Sequence, residues 1–345
     1  MIEPIQPSVL PPSAPLKSAP ADKPVVITDS FRTDQTPDMK LMKPMSFRTE
    51  GATKEVPRPM SDDEKADFHS WFPKLDVDKA VVTAEATPRY NCISWSSGNS
   101  KSWDWPPNMY PDQGPVEAFS TYYTERGFTP ISAEDAAALP PGSKELVAYW
   151  EDPNGPTHGS VSGPTHGDRW ESKCGQAARI QHERDGLVSD VYGEIKGYWL
   201  KTGPSTVADP PEVSSEVTRQ IRDKVDRRLA AVQPEVKDKF AQAYGEWQAL
   251  RHDPKVAMSS DPASYCRGEG FQKLVKLGPE ALPLLLDKMQ QGDHFCQYVA
   301  QAVSKQRSGI HTMGTPSNEL KAHRVNLGEQ DKAQQVMEQY LNSSW

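Results

Sequence analysis

Apolar positions along the 345-residue chain change period three times, and each change predicts a different kind of structure. From residue 1 to about 60 no period is sustained. The stretch is crowded with Pro, Ser, Thr, Lys and Asp, and cannot bury enough apolar surface to offset its ordering entropy. It reads as a disordered, proline-rich leader, in which the tetrad SFRT occurs twice, at Ser30–Thr33 and Ser46–Thr49. From Ser61 the period is helical. "SDDEKADFHSWF" carries a Ser61 cap with acidic residues in its first turn, where they favour the helix dipole. "CISWSSG" places Cys92, Trp95 and Ser96 on one helical face. "PVEAFSTYYTERG" and "ISAEDAAALPPG" add two more short helices. The period then drops to two. "ELVAYW", "THGSVS", "RWESK" and "VYGEIKGYWL" read as four strands separated by Gly and Pro turns.

Beyond "TGPSTVADPP" the strands cease. Val213, Val217, Ile221, Val225 and Leu229 recur every four residues, Pro234 opens a second helix, and Phe240, Tyr244, Trp247 and Leu250 continue it, which predicts a long helical hairpin. "KLGPEALPLLLDKM", followed by an Asp293 cap and Phe295, Tyr298, Val299 and Ala302, has the form of one HEAT-type helical repeat. The expected organisation is a leader over 1–60, an α+β domain over 61–202 in which helices precede an antiparallel sheet, and an all-α domain over 203–345.

Composition narrows the partners. A net charge of −8 and no clustered excess of Lys and Arg argue against nucleic acid. No run approaches the roughly 20 apolar residues of a membrane span, and "MIEPIQPSVLPPSAPLK" lacks the basic start and apolar centre of a signal peptide. The chain is therefore expected in the cytoplasm, or exported without a cleaved signal. Cys92, Cys174, Cys266 and Cys296 form no CxxC pair and are expected reduced.

Candidate chemistry centres on Cys92 and a doubled pentapeptide. Gly-Pro-Thr-His-Gly is written twice, around His158 and His166. A Cys in the first turn of a helix gains thiolate character from the positive helix end. A His on a later strand can serve as its base. Strand alternation puts His158, Ser160 and Ser162 on one face, whereas His166 falls in turn chemistry and is expected to be a solvated turn residue. A rigid base belongs on a strand, so His158 is the candidate. His182 either orients His158 or caps a loop. Trp103 and Trp105 in "SWDWPP" either floor a groove or close a core edge. His158, His166 and Cys174 lack the closer ligand pair of most metal sites, so neither a metal nor a cofactor is expected.

"YNCISW", "WDWPP", "PTHGSV" and "DRWESKCG…IQH…VYGEI" together resemble an uncharacterised family of papain-like (NlpC/CHAP-type) cysteine hydrolase domains, marked by YNCIxW, THxx and WxSKxG motifs, over about Phe68 to Trp199. The resemblance implies a papain-like α+β fold with Cys92 as nucleophile and His158 as base. Tyr90, Asn91 and His182 become oxyanion or orienting candidates, and Trp95, Trp103, Trp105 and Trp170 groove candidates. It implies a cysteine peptidase, amidase or deamidase acting on a protein or peptide; the disordered, signal-less leader also fits an exported effector. The chain departs from the pattern where Arg179 replaces an acidic residue and Cys174 a leucine. The departure at Arg179 favours an alternative: a catalytically inactive papain-fold module that binds a protein partner, with the helical domain as its second contact surface.

Overall fold

The structure is a computed structural model, which describes residues 56–208, 210, 212–308 and 327–343. Residues 1–55, and with them nearly all of the expected leader and both SFRT tetrads, lie outside the described residues. All described residues belong to the unit spanning 44–345.

The fold is mixed α+β, with an antiparallel sheet in the middle of the chain and helices after it. Eight strands form the sheet: β1 (Arg58–Pro59), β2 (Val81–Ala84), β3 (Phe128–Ile131), β4 (Leu146–Asp152), β5 (Gly155–Ser162), β6 (Trp170–Lys173), β7 (Arg179–His182) and β8 (Glu194–Lys201). Their order is β1-β2-β7-β6-β5-β4-β8-β3. The hairpin β4–β5 lies near the centre, with Trp150 opposite His158 and Tyr149 opposite Gly159. Four of these strands answer the four alternating segments in the sequence. The other four are at most four residues long.

Helices cover both faces. α1 (Asp62–Trp71) is held by a capping box between Ser61 and Glu64, and buries Phe68 and Trp71. These pack with Val82, Trp150, Ile180 and Tyr192 on one face of the sheet. The other face carries α2 (Cys92–Ser96) and α4 (Pro115–Glu125), with Cys92, Ile93, Phe119, Tyr122 and Tyr123 packed against Tyr149 and Trp199. Two shorter helices, α3 (Pro106–Met109) and α5 (Ala133–Ala138), complete this half.

After β8 come α6 (Ser215–Ala231) and α7 (Pro234–Arg251), the expected hairpin, then α8 (Pro254–Ala257), α9 (Gly268–Lys276), α10 (Leu282–Gln290), α11 (Cys296–Ser308) and α12 (Glu329–Asn342). Asp293 does not cap α11. Its carboxylate accepts from the two terminal guanidinium nitrogens of Arg251, at 2.8 and 3.0 Å, and from Tyr244 Oη at 2.6 Å, because a buried Arg251 requires a counter-charge.

Position 202 is where strands give way to helices, and side chains cross it. Trp103, from the sheet half, is fully buried in the helical core beside Tyr265 and Phe295. Its indole Nε1 donates to Ser260 O at 2.9 Å. Gly175, in the β6–β7 turn with φ +51°, abuts the Ala257 carbonyl so closely that a β-carbon would overlap it. The adjacent Gln176 N–H donates to that carbonyl at 2.7 Å. Among the described residues no helix is long and apolar enough to cross a membrane.

Candidate functional site

Asn91 caps α2 and so places Cys92 in the first helical turn. Its side-chain oxygen accepts from Ser94 N at 3.1 Å, while its amide donates to Asp104 O at 2.7 Å. The Asn91 side chain is thus committed to the fold and does not offer an oxyanion donor. Cys92 is completely buried, and its Sγ lies 3.0 Å from Ser260 Oγ, a residue 168 positions later in the chain. Burial pushes the thiol up to about 11. Ser260, the backbone N–H of Gly159 and the Lys173 charge favour the thiolate but do not overcome burial. The sequence expectation of a depressed thiol is corrected accordingly: loss of water outweighs one turn of helix dipole.

The Gly159 N–H is the link between Cys92 and β5. Helix α2 comes so close to this strand that a β-carbon on Gly159 would sit 2.9 Å from Ser96 Oγ and 2.7 Å from Tyr123 Oη. The preceding residue, His158, is fully buried, with its ring stacked on Tyr192 at 3.9 Å. No hydrogen bond joins His158 to Cys92: His158 stands beside Trp150 on the α1 face of the sheet, whereas Cys92 packs with Tyr149 on the α2 face. Ser260 holds the sulfur instead, which corrects the expected thiol–imidazole contact.

His158 is fixed by a buried polar chain. Its Nε2 lies 2.9 Å from Ser172 Oγ, which is 2.8 Å from His182 Nε2 and 2.9 Å from Ser160 Oγ. His182 Nδ1 is 2.7 Å from the Glu183 carbonyl. Burial lowers His182 to about 4 and His158 well below its ordinary value, so both rings are neutral at pH 7. Proton positions then follow. A carbonyl only accepts, so His182 carries its proton on Nδ1 and leaves Nε2 an acceptor. The single Ser172 proton is claimed by Ser160 Oγ, to which it donates, and by His182 Nε2, so toward His158 Ser172 accepts, from Nε2–H. The lone pair of His158 is therefore on Nδ1, which is buried without a hydrogen-bond partner. His182 holds the loop after β7 through the Glu183 carbonyl and reaches His158 through Ser172.

The remaining candidates separate. Tyr90 is buried, its ring 6.0 Å from that of Trp95, with Lys173 Nζ 5.3 Å above it. Trp95 is capped by the Arg179 guanidinium at 3.8 Å. Trp103 belongs to the helical core. Trp105 lines a cleft of about 480 Å³ bounded also by Thr157, Tyr192, Ser259 and Asp261. Trp170 lines a different groove, of about 630 Å³, with Leu146 and Gly142. His166 is not a solvated turn residue. Its Nε2 lies 3.0 Å from the carboxylate of buried Glu171, which Arg179 Nε approaches at 3.3 Å. Arg179 thus spends its charge on Glu171. Sequence reasoning missed Ser172 and Ser260. Ser172 was visible only as every second residue of a strand, and Ser260 carried no local signal. The four cysteines are free thiols, and no group of three or more His, Cys, Asp or Glu among the described residues is placed to hold a metal ion.

The buried imidazoles set an acid limit. His182 and His294 are each held at about 4 by burial, against an ordinary 6.5. The unfolded chain binds protons between these values and the folded one does not. Stability is therefore complete above pH 6.5 and falls by roughly 3 kcal/mol per imidazole as pH drops to about 4. Urea titrations at pH 7, 5.5 and 4.5 should show a steadily falling midpoint. A midpoint constant over this range would mean that the rings are hydrated.

Residues 81–200 match a family model described as a domain of unknown function (DUF7689). That span runs from β2 to β8 and contains Cys92, His158, Ser172 and His182. No curated protein and no solved structure matches the chain.

Proposed function

We propose that the chain is a papain-like cysteine hydrolase of peptidase, amidase or deamidase type, with Cys92 as nucleophile and His158 as base. The observation that carries this reading is the buried, unpartnered Nδ1 of His158, which the Ser172–His182 chain keeps as the basic nitrogen. A buried acceptor without a donor costs about 1–3 kcal/mol, and a proton-transfer role accounts for it. Gly159, the next residue, brings its N–H to the Cys92 sulfur.

In this reading Ser260 holds the thiol at rest and the substrate carbonyl displaces it. Substrate binding also has to bring Nδ1, on the α1 face of β5 at rest, to the sulfur on the α2 face; Nδ1 then takes the thiol proton, sulfur attacks the carbonyl carbon, and the C–N bond breaks as the imidazolium returns the proton to the leaving nitrogen. A water molecule, deprotonated by the same Nδ1, then cleaves the thioester to a carboxylate and restores the thiol. The Cys92 N–H favours negative charge at this helix start and would serve the oxyanion.

A second reading, a non-catalytic papain-fold module that binds a protein, is favoured by the burial of Cys92 and its raised pKa. A peptidyl acyloxymethyl ketone separates the two. It should label the full chain at one site, found by mass spectrometry to be Cys92, and labelling should vanish in Cys92→Ala. Labelling confined to half-buried Cys266, or unchanged in Cys92→Ala, would sink the hydrolase and leave the binding module.

A further inference from the structure

The cleft beside Ser260 is next to the catalytic pair by chain neighbours on both sides. Ser259 and Asp261 flank the residue on the Cys92 sulfur, Thr157 precedes His158, and Tyr192 is the ring on which His158 stacks. Its other walls are chemically one-sided. Asp152 at the end of β4, Asp190 from the loop before β8 and Asp261 all line it, and none of the three forms an ion pair among the described residues. Asp152 Oδ1 accepts from Asn154 N at 2.7 Å and Asp261 Oδ1 from Ala263 N at 2.9 Å, turn contacts that fix the carboxylates without neutralising them. Arg267 acts on Asp261 only through space. Lys255 is the single cation lining the cleft among the described residues, against three carboxylates. Trp105 and Tyr192 add aromatic rings. Unpaired carboxylates together with aromatic rings are the chemistry that receives an alkylammonium or guanidinium group, by charge and by ring quadrupole.

We infer that this cleft selects a substrate bearing a positive side chain, of the lysine or arginine type, beside the carbonyl that Cys92 attacks; the inference rests on the hydrolase reading. Asp152 and Asp190 are its specificity-determining residues. Asp190 is exposed and Asp152 half-buried, and neither is hydrogen-bonded to the buried chain that fixes His158, so they can be changed without touching the proposed chemistry.

The test uses three methanethiosulfonates on the full chain: neutral methyl, cationic aminoethyl and anionic sulfonatoethyl. In each case the thiolate displaces methanesulfinate and a mixed disulfide forms, which mass spectrometry assigns to Cys92 against a Cys92→Ser control. The cation-to-anion rate ratio on Cys92, divided by the same ratio on free cysteine, should be at least about tenfold in dilute salt and fall as salt rises. In the Asp152→Asn, Asp190→Asn double variant it should approach one. A corrected ratio near one in the unaltered protein, or a high ratio that the double variant keeps, overturns the inference alone. No modification of Cys92 by even the neutral reagent overturns the hydrolase reading, and the inference with it.

Discussion

Trp103→Ala is expected to destabilise the protein by about 3–5 kcal/mol, the cost of emptying a fully packed indole site. Trp103 belongs to the sheet half by sequence, but its ring meets Tyr265 and Phe295 edge-on at 5.9 and 5.3 Å, inside the helical core. Both of its backbone groups are engaged by the start of α12: its N–H donates to Gln330 Oε1 at 2.7 Å, and its carbonyl accepts from Glu329 N at 2.9 Å. The indole N–H to Ser260 O ties the same ring to the residue that covers Cys92. Two measurements follow from one substitution. The urea midpoint should fall with the slope unchanged, and alkylation of Cys92 should accelerate as the Ser260 segment loosens. Trp95→Ala, which removes a half-buried ring under Arg179, should cost less than half as much. A loss below about 1 kcal/mol for Trp103→Ala would mean that sheet and helices are stabilised separately, each by its own core.

The two pentapeptide histidines should separate cleanly. His158→Ala is expected to slow hydrolysis, or inactivation by the acyloxymethyl ketone, about 100-fold near pH 7, because the base is lost. His166→Ala should change that rate less than about threefold and act on stability instead, by about 1–3 kcal/mol, since buried Glu171 loses one of its hydrogen-bonding partners. The carboxyl of Glu171 is pushed up by burial but held below its ordinary value by His166, Thr83 and Arg179. Its contribution is thus present above the unfolded carboxylate pKa and lost as pH falls through the folded one. In His166→Ala the folded carboxyl moves back toward its ordinary value, so the acid loss should be smaller and complete at higher pH. The rate profile carries a further control. With the thiol at about 11 while covered, only about one molecule in ten thousand is thiolate at pH 7. If His158 deprotonates Cys92, the wild-type rate levels off near neutrality, and only His158→Ala climbs about tenfold per pH unit. Parallel climbs in both would show a thiol acting alone.

Much of this architecture is local and was legible. The Ser61 cap, the a Pro-started α4 and α7, and the alternation in β4, β5, β6 and β8 each follow from a signal within a dozen residues. The missed strands have physical reasons. β3 contains Pro130, and is an edge strand where its missing N–H is tolerated. β7 reads Arg-Ile-Gln-His, polar in three of four places, because Arg179 answers Glu171 on one face and His182 answers Ser172 on the other.

The sequence by itself determined the longer helices up to α11 and the strands β4, β5, β6 and β8, that Cys92 opens a helix and that His158 sits on a strand. Spacing alone specifies these, since backbone period and capping are properties of neighbouring residues. Only the tertiary structure decided what surrounds them: Ser260 on the thiol, Ser172 and His182 behind the imidazole, Glu171 beside His166, and Trp103 in a core to which its own segment does not belong. Each of these is a contact between elements brought together by packing, and a burial that shifts a thiol upward or strips a proton from an imidazole exists only once those elements have closed over it.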